Sequence, residues 1–325
     1  MNNNFIPLIG SEIALSLYPQ LIKLIPSTIE IQVATRCITY SILAIIGYYI
    51  TIQNNNKYTP STLLSTLLST PLSTTLSTLS STTITTSLIM GIVNIIHITS
   101  SYICFNTLSS GVGYSIFYIY PIFNLLGRTF LYNEKIDIIN YLYISIAIIG
   151  VYLNYKQTNK KNNNPDTNLD TKYTFINVND ILNTKNTNIG IVAGIVSALS
   201  ESIIYFMVKD NLVGVSPFVQ LLKIYLLGGI LSIIYLIQNI KTNLNLDYHY
   251  WITLILFNAI VGFIGHLLRF IMIPKLSTLL FNSLIFTGVI FSYIWGYILS
   301  KEPITYSNVS GTLLILSSIF LINKK

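Results

Sequence analysis

The sequence predicts an all-α, polytopic membrane protein of ten transmembrane helices. Three observations predict it. Only 9% of the 325 residues are charged while 52% are hydrophobic, against roughly 25% charged in soluble domains. A soluble chain must cover its surface with polar groups, so this apolar surface needs lipid as its solvent. The apolar residues also gather in runs near 20 residues, the length that crosses a hydrocarbon core about 30 Å thick. Finally, the short alternating segments of a membrane barrel are missing, and helices satisfy their own backbone in lipid where open strands do not.

In chain order the first five spans run about Phe5–Lys23, Ile29–Ile52, Ser87–Asn106, Gly111–Tyr132 and Ile138–Leu153. The other five run about Ile189–Val208, Pro217–Ile237, Trp251–Ile273, Leu276–Leu299 and Tyr306–Leu321. The first lacks a basic leader and a small-residue cleavage site, so it reads as a retained helix rather than a signal peptide. Pro121 lies inside the fourth span, where a missing backbone donor predicts a bend at Tyr120–Pro121.

Two polar stretches punctuate the spans. Residues 53–86 carry a low-complexity Ser-Thr-Leu tract, read as an expanded loop. Residues 154–187, rich in Asn, Lys, Asp and Thr, read as a hydrated linker. The net charge of +7 comes from Lys scattered over connecting segments, with no basic stripe interleaved with aromatics, which excludes nucleic acid as a partner. Cys37 and Cys104 both sit in apolar stretches, so neither a disulfide framework nor metal-ligand spacing is present. No cofactor or metal is expected.

The chain also repeats itself. Aligning 11–23 (SEIALSLYPQLIK) with 197–209 (SALSESIIYFMVK) places Ser11 on Ser197, Ser16 on Ser202 and Lys23 on Lys209. Glu134 and Glu302 likewise match, each followed by a short polar stretch and an apolar helix. Lys23 to Glu134 is 111 residues and Lys209 to Glu302 is 93, and the difference of 18 fits inside the Ser-Thr-Leu tract of the first copy. The repeats are therefore 1–153 and 188–325, five helices each. Because five is odd, consecutive units must lie in the membrane with opposite orientation, a pattern characteristic of alternating-access transporters.

With these residues in order, the chain resembles the drug/metabolite transporter superfamily in its EamA-like branch. Lys23 closes the first helix and Arg36 enters the second. The run 114–134 (YSIFYIYPIFNLLGRTFLYNE) carries Pro121 and Glu134, and Gly150 stands late in the fifth helix. The second copy departs from the pattern: Gly311 comes early, Ser318 matches Gly150, and Val289 matches Pro121. The resemblance implies a carrier for a small metabolite with both termini in the cytosol, and it leaves the solute unnamed. The ninth span has no basic residue, which counts against an anionic phosphate. Lys and Arg near helix ends number eight on the implied cytosolic side and four on the other, but nine there once the linker is included, so the positive-inside rule does not settle the orientation.

Ionisable and amide groups inside spans are costly in lipid, so each is a functional candidate. Glu201 and Tyr205 lie one turn apart on the sixth span. His97 and Asn94 lie on the third, Tyr120 and Asn124 on the fourth, and His266 on the eighth. A carboxylate or imidazole there offers a place for solute or a coupling proton, whereas the Asn residues suit helix-to-helix hydrogen bonds. Lys23, Arg36, Glu134, Lys209 and Glu302 read as a structural motif of helix ends.

The function expected is secondary transport of a small metabolite by alternating access. The partners are the lipid bilayer and the solute, with proton coupling and solute exchange both open and a homodimer compatible. The alternative is a polytopic membrane enzyme, such as an acyltransferase using an intramembrane His. It lacks support in the form of a G-x-S-x-G elbow, an H-E-x-x-H helix or an Asp-rich metal motif.

Overall fold

The computed structural model describes residues 5–55, 81–132, 137–162, 187–211, 215–239, 246–276, 281 and 284–323. Glu134, most of the Ser-Thr-Leu tract and most of the linker lie outside the described residues. In chain order the helices are α1 Ile6–Leu15, α2 Tyr18–Leu24, α3 Ile29–Asn55, α4 Ser81–Thr107, α5 Ser110–Phe117, α6 Tyr120–Tyr132 and α7 Ile138–Asn162. They continue as α8 Thr187–Asn211, α9 Pro217–Gln238, α10 Tyr248–Leu256, α11 Ile264–Met272, α12 Phe286–Ser300 and α13 Tyr306–Asn323. A π-helical segment, Phe257–Phe263, joins α10 to α11. Among the described residues, five stretches are long and apolar enough to cross a membrane: Ile29–Thr51, Thr85–Thr107, Thr187–Lys209, Pro217–Gln238 and Tyr248–Met272. Ile138–Asn154 and Phe286–Ser300 are shorter apolar helices.

Two predicted spans are broken rods. The fourth breaks at Tyr118–Ile119, just ahead of Pro121, as its missing donor requires. The first breaks in the same way at Ser16–Leu17, ahead of Pro19. That proline carries the same signal in the sequence, yet the stretch 5–23 reads as one helix until the structure divides it. The π-helical segment leaves no comparable trace in the residue pattern.

Burial runs opposite to that of a soluble protein. Ile42, Ile45, Ile46 and Ile50 on α3 and Ile230, Leu231, Ile233 and Ile234 on α9 face outward, while Glu12, Gln20, Arg36, His97 and Arg269 are buried. In lipid the outward isoleucines lose nothing, and polar groups find partners only by turning in.

The helices pack in a regular scheme. α1 lies on α11 and α12, α8 lies on α4, α5 and α6, α3 on α9, and α7 on α13. Exchanging the first five spans for the last five maps this set of pairs onto itself. Individual contacts follow it. Ser11 Oγ donates to the Gly265 carbonyl at 2.7 Å, and Ser197 Oγ to the His97 carbonyl at 3.3 Å. Ser16 accepts from Trp295 Nε1 on α12 at 3.0 Å, and Ser202 donates to Asn124 on α6 at 2.7 Å. At the α7–α13 crossing Gly150 and Gly311 meet backbone to backbone; a Cβ on Gly150 would stand 2.5 Å from the Gly311 carbonyl oxygen.

Candidate functional site

The broken helices and the π-helical segment surround a buried group of ionisable side chains at the centre of the bundle. It has two parts, each built on one arginine.

The first is centred on Arg269 of α11. Its Nη2 donates to Glu201 Oε1 of α8 at 2.8 Å and to the Tyr120 hydroxyl at 2.9 Å. Its Nε lies 3.6 Å from Glu12 Oε1 of α1, too far for a hydrogen bond, and both atoms are otherwise unpaired. Tyr118 donates to the other oxygen of Glu12. The break before Pro121 brings Tyr118 and Tyr120, two residues apart, to the two sides of this cluster. One guanidinium thus meets two carboxylates, leaving the set one negative charge in excess.

His97 of α4 closes the group. Its Nδ1 lies 3.2 Å from the Ser197 carbonyl, which only accepts, so Nδ1 carries hydrogen. Its Nε2 lies 3.5 Å from Glu201 Oε2. A bare Nε2 facing a bare carboxylate would set lone pair against lone pair. One proton between them, on either atom, would remove the conflict.

The second part is centred on Arg36 of α3. Its Nη2 donates to Tyr225 and to His266 Nε2, each at 3.0 Å. His266 Nδ1 lies 3.0 Å from the Gly262 carbonyl and from the Tyr40 hydroxyl. Arginine only donates and a carbonyl only accepts, so His266 is the neutral tautomer with hydrogen on Nδ1. Tyr40 then donates to Tyr18 and Tyr18 to Asn258 of the π-helical segment, both at 2.8 Å. The rings of Tyr18, Tyr40, Tyr102 and Tyr225 stand 4.6, 5.4, 5.8 and 5.8 Å from the guanidinium carbon.

A third group sits at one end of the bundle. Lys23 at the end of α2 forms an ion pair with Glu302, just past α12. Glu302 also accepts from the Ser110 backbone N–H at 2.7 Å and from its hydroxyl at 3.0 Å, and Lys23 donates to that hydroxyl at 3.1 Å. Lys301, at φ 50°, supplies the left-handed turn that ends α12 and lets the Glu302 N–H return to the Gly296 carbonyl.

The structure therefore brings Glu201, His97 and Tyr120 together around Arg269, and places His266 with Arg36. Tyr205 stands one layer out, against Phe281 at 5.6 Å between ring centres and accepting from Lys209 at 3.0 Å. Asn94 donates to the Ile224 carbonyl on α9 at 3.3 Å, and Asn124 accepts from Ser202, so both bridge helices. Arg36, read as a helix-end residue, is instead enclosed by tyrosines, and Lys23 and Glu302 of the helix-end motif are partners of one another. Glu12 and Arg269 are also charges within apolar runs, and no spacing in the sequence ties them to Glu201. Tyr40 stands one turn beyond Arg36 on α3, while Tyr18, Tyr102 and Tyr225 come from three other helices, and no local pattern announces those three.

A family model for EamA-like transporters matches residues 188–324. Over that stretch, the second half of the chain is similar to the EamA-like transporters. The match bears out the EamA-like resemblance in the second half, and together with the apolar helices it supports a multi-pass membrane transporter of the drug/metabolite superfamily. No curated protein matches in sequence. One solved structure, described as a crystal structure of a protein, is similar with a TM-score of 0.54 over 99% of this chain and 95% of that one, at 12% identity. At that identity the likeness speaks to the fold alone.

Proposed function

We propose that this EamA-like protein is a secondary carrier that moves a small metabolite by alternating access, coupled to protons. The observation that carries the reading is the Arg269–Glu201–Glu12–His97 cluster, assembled from α1, α4, α8 and α11 where the two halves of the chain meet. Buried charges of this kind cost several kcal/mol each, and a purely structural bundle gains little from them. The exchange-symmetric packing supports two inverted five-helix repeats, 1–153 and 188–325; cytosolic termini are what the EamA-like resemblance implies. Rocking one repeat on the other would open the cluster to each side in turn. The Lys23–Glu302 pair, joining the first half to the second, acts as a latch at one mouth.

The test is solute counterflow in proteoliposomes across amino acids, nucleosides, sugar phosphates, nucleotide sugars and carboxylates, with and without a pH gradient. The carrier reading expects saturable counterflow of one class and its acceleration by a proton gradient. Absence of saturable flux for every class would sink it. Flux indifferent to the gradient would remove the proton while leaving the carrier.

A further inference from the structure

The two arginines are treated unequally. Arg269 has two carboxylates. Arg36 is just as deeply buried, 4% exposed, yet among the described residues no carboxylate pairs with it, and its Nε has no hydrogen-bond partner. Glu12 and Glu201 are the carboxylates of this buried core, and both face Arg269. Tyrosine rings lower the cost of a buried guanidinium, and His266 and Tyr225 take two of its N–H groups. None of them supplies negative charge. A planar guanidinium with a spare donor suits the two oxygens of a carboxylate, and the rings around it suit an apolar body.

Charge counting fixes what loads with it. With His97 and His266 neutral, Arg36 and Arg269 offset Glu12 and Glu201, and the core sums to zero. A proton on the His97–Glu201 pair makes it +1. A bound monoanion returns it to zero; a dianion overshoots. Each ligand therefore favours the other by reciprocal linkage.

We infer that Arg36, within Tyr18, Tyr40, Tyr102 and Tyr225, is the binding site for an organic monocarboxylate, which loads together with one proton on the His97–Glu201 pair. The groups facing that pair are Arg269 and His266 from α11, Arg36 from α3, Glu12 from α1, and Tyr114 and Tyr120 from α5 and α6. The inference names the solute class for the carrier proposed above and rests on that reading.

The experiment measures binding of labelled benzoate to the full chain in nanodiscs, with benzamide and phenyl phosphate as competitors. Saturable benzoate binding is expected, with benzamide failing to compete and phenyl phosphate competing poorly. Affinity should weaken about tenfold per pH unit on the alkaline side, since one proton is taken up with the anion. Arg36→Gln should weaken binding on the order of 30-fold or more, and Arg36→Lys less, because it keeps the charge and loses the fork. Glu201→Gln leaves the core at +1 permanently, so it should bind benzoate with the pH dependence gone. No saturable benzoate binding, benzamide competing as well as benzoate, phenyl phosphate competing better, or affinity independent of pH in the unaltered chain would each overturn the inference. So would benzoate affinity unchanged by Arg36→Gln. If neither Arg36 variant folds, the unaltered chain and Glu201→Gln decide it. Benzoate binding without counterflow of any solute would sink the carrier and keep the site; counterflow of neutral or cationic solutes without benzoate binding would do the reverse.

Discussion

Glu201→Gln separates the proton from the packing. The amide oxygen can still accept from Arg269 Nη2, now 2.8 Å from the carboxylate. The amide N–H can donate to His97 Nε2, 3.5 Å from the other oxygen. Every polar atom at this position thus keeps a partner of the right kind, and the shared proton loses its place. The cost is the lost charge. At an effective dielectric near 20, unit charges about 4 Å apart attract by about 4 kcal/mol. Arg269 keeps Glu12 as counter-ion, and the change also removes one buried carboxylate and its repulsion with the other. The net destabilisation should be about 1–2 kcal/mol, or a fall in Tm of about 2–8 °C. A thermal scan of the detergent-solubilised chain measures the first part. Uptake into proteoliposomes under an imposed pH gradient measures the second, where the gradient-driven component should vanish. Gradient-driven uptake unchanged by Glu201→Gln would refute the reasoning, however small the stability loss.

Arg269→Gln leaves Glu12 and Glu201 buried without a counter-ion and should cost about 3–5 kcal/mol; the triple change of Glu12, Glu201 and Arg269 to Gln should be more stable than the single one, as ranked by thermal scans. A double-mutant cycle on Lys23→Met and Glu302→Gln should give a coupling of about 1 kcal/mol, since both side chains are under one-fifth exposed; a coupling of zero would deny the latch. Gly150→Ala drives a methyl against the Gly311 carbonyl, which its Cβ would approach to 2.5 Å, and should destabilise by about 1–3 kcal/mol. Gly262→Ala would put a Cβ 2.1 Å from the Tyr18 hydroxyl, so it should disrupt the Tyr40–Tyr18–Asn258 chain and weaken benzoate binding more than it lowers Tm.

The family and the membrane were legible in the residues, because hydrophobic run length and the paired motifs are local or evenly spaced signals. The Pro121 bend was legible for the same reason. Glu201, His97 and His266 also stood out, since a lone ionisable group in an apolar run is conspicuous. Their partners were not. Which carboxylate meets which arginine depends on helix rotation and crossing, and the sequence leaves many pairings open. Glu12, Glu201 and Arg269 lie far apart in the chain and meet through a proline break and a π-helical segment that re-aim them.

By itself the sequence determined that this chain lives in lipid as helices, with a few costly charges inside. Those facts follow from hydration, which acts on each residue where it stands. Only the tertiary structure decided that Arg269 would take both buried carboxylates and leave Arg36 among tyrosines without one. Charge pairing acts over a few ångströms and depends on which helices are brought side by side.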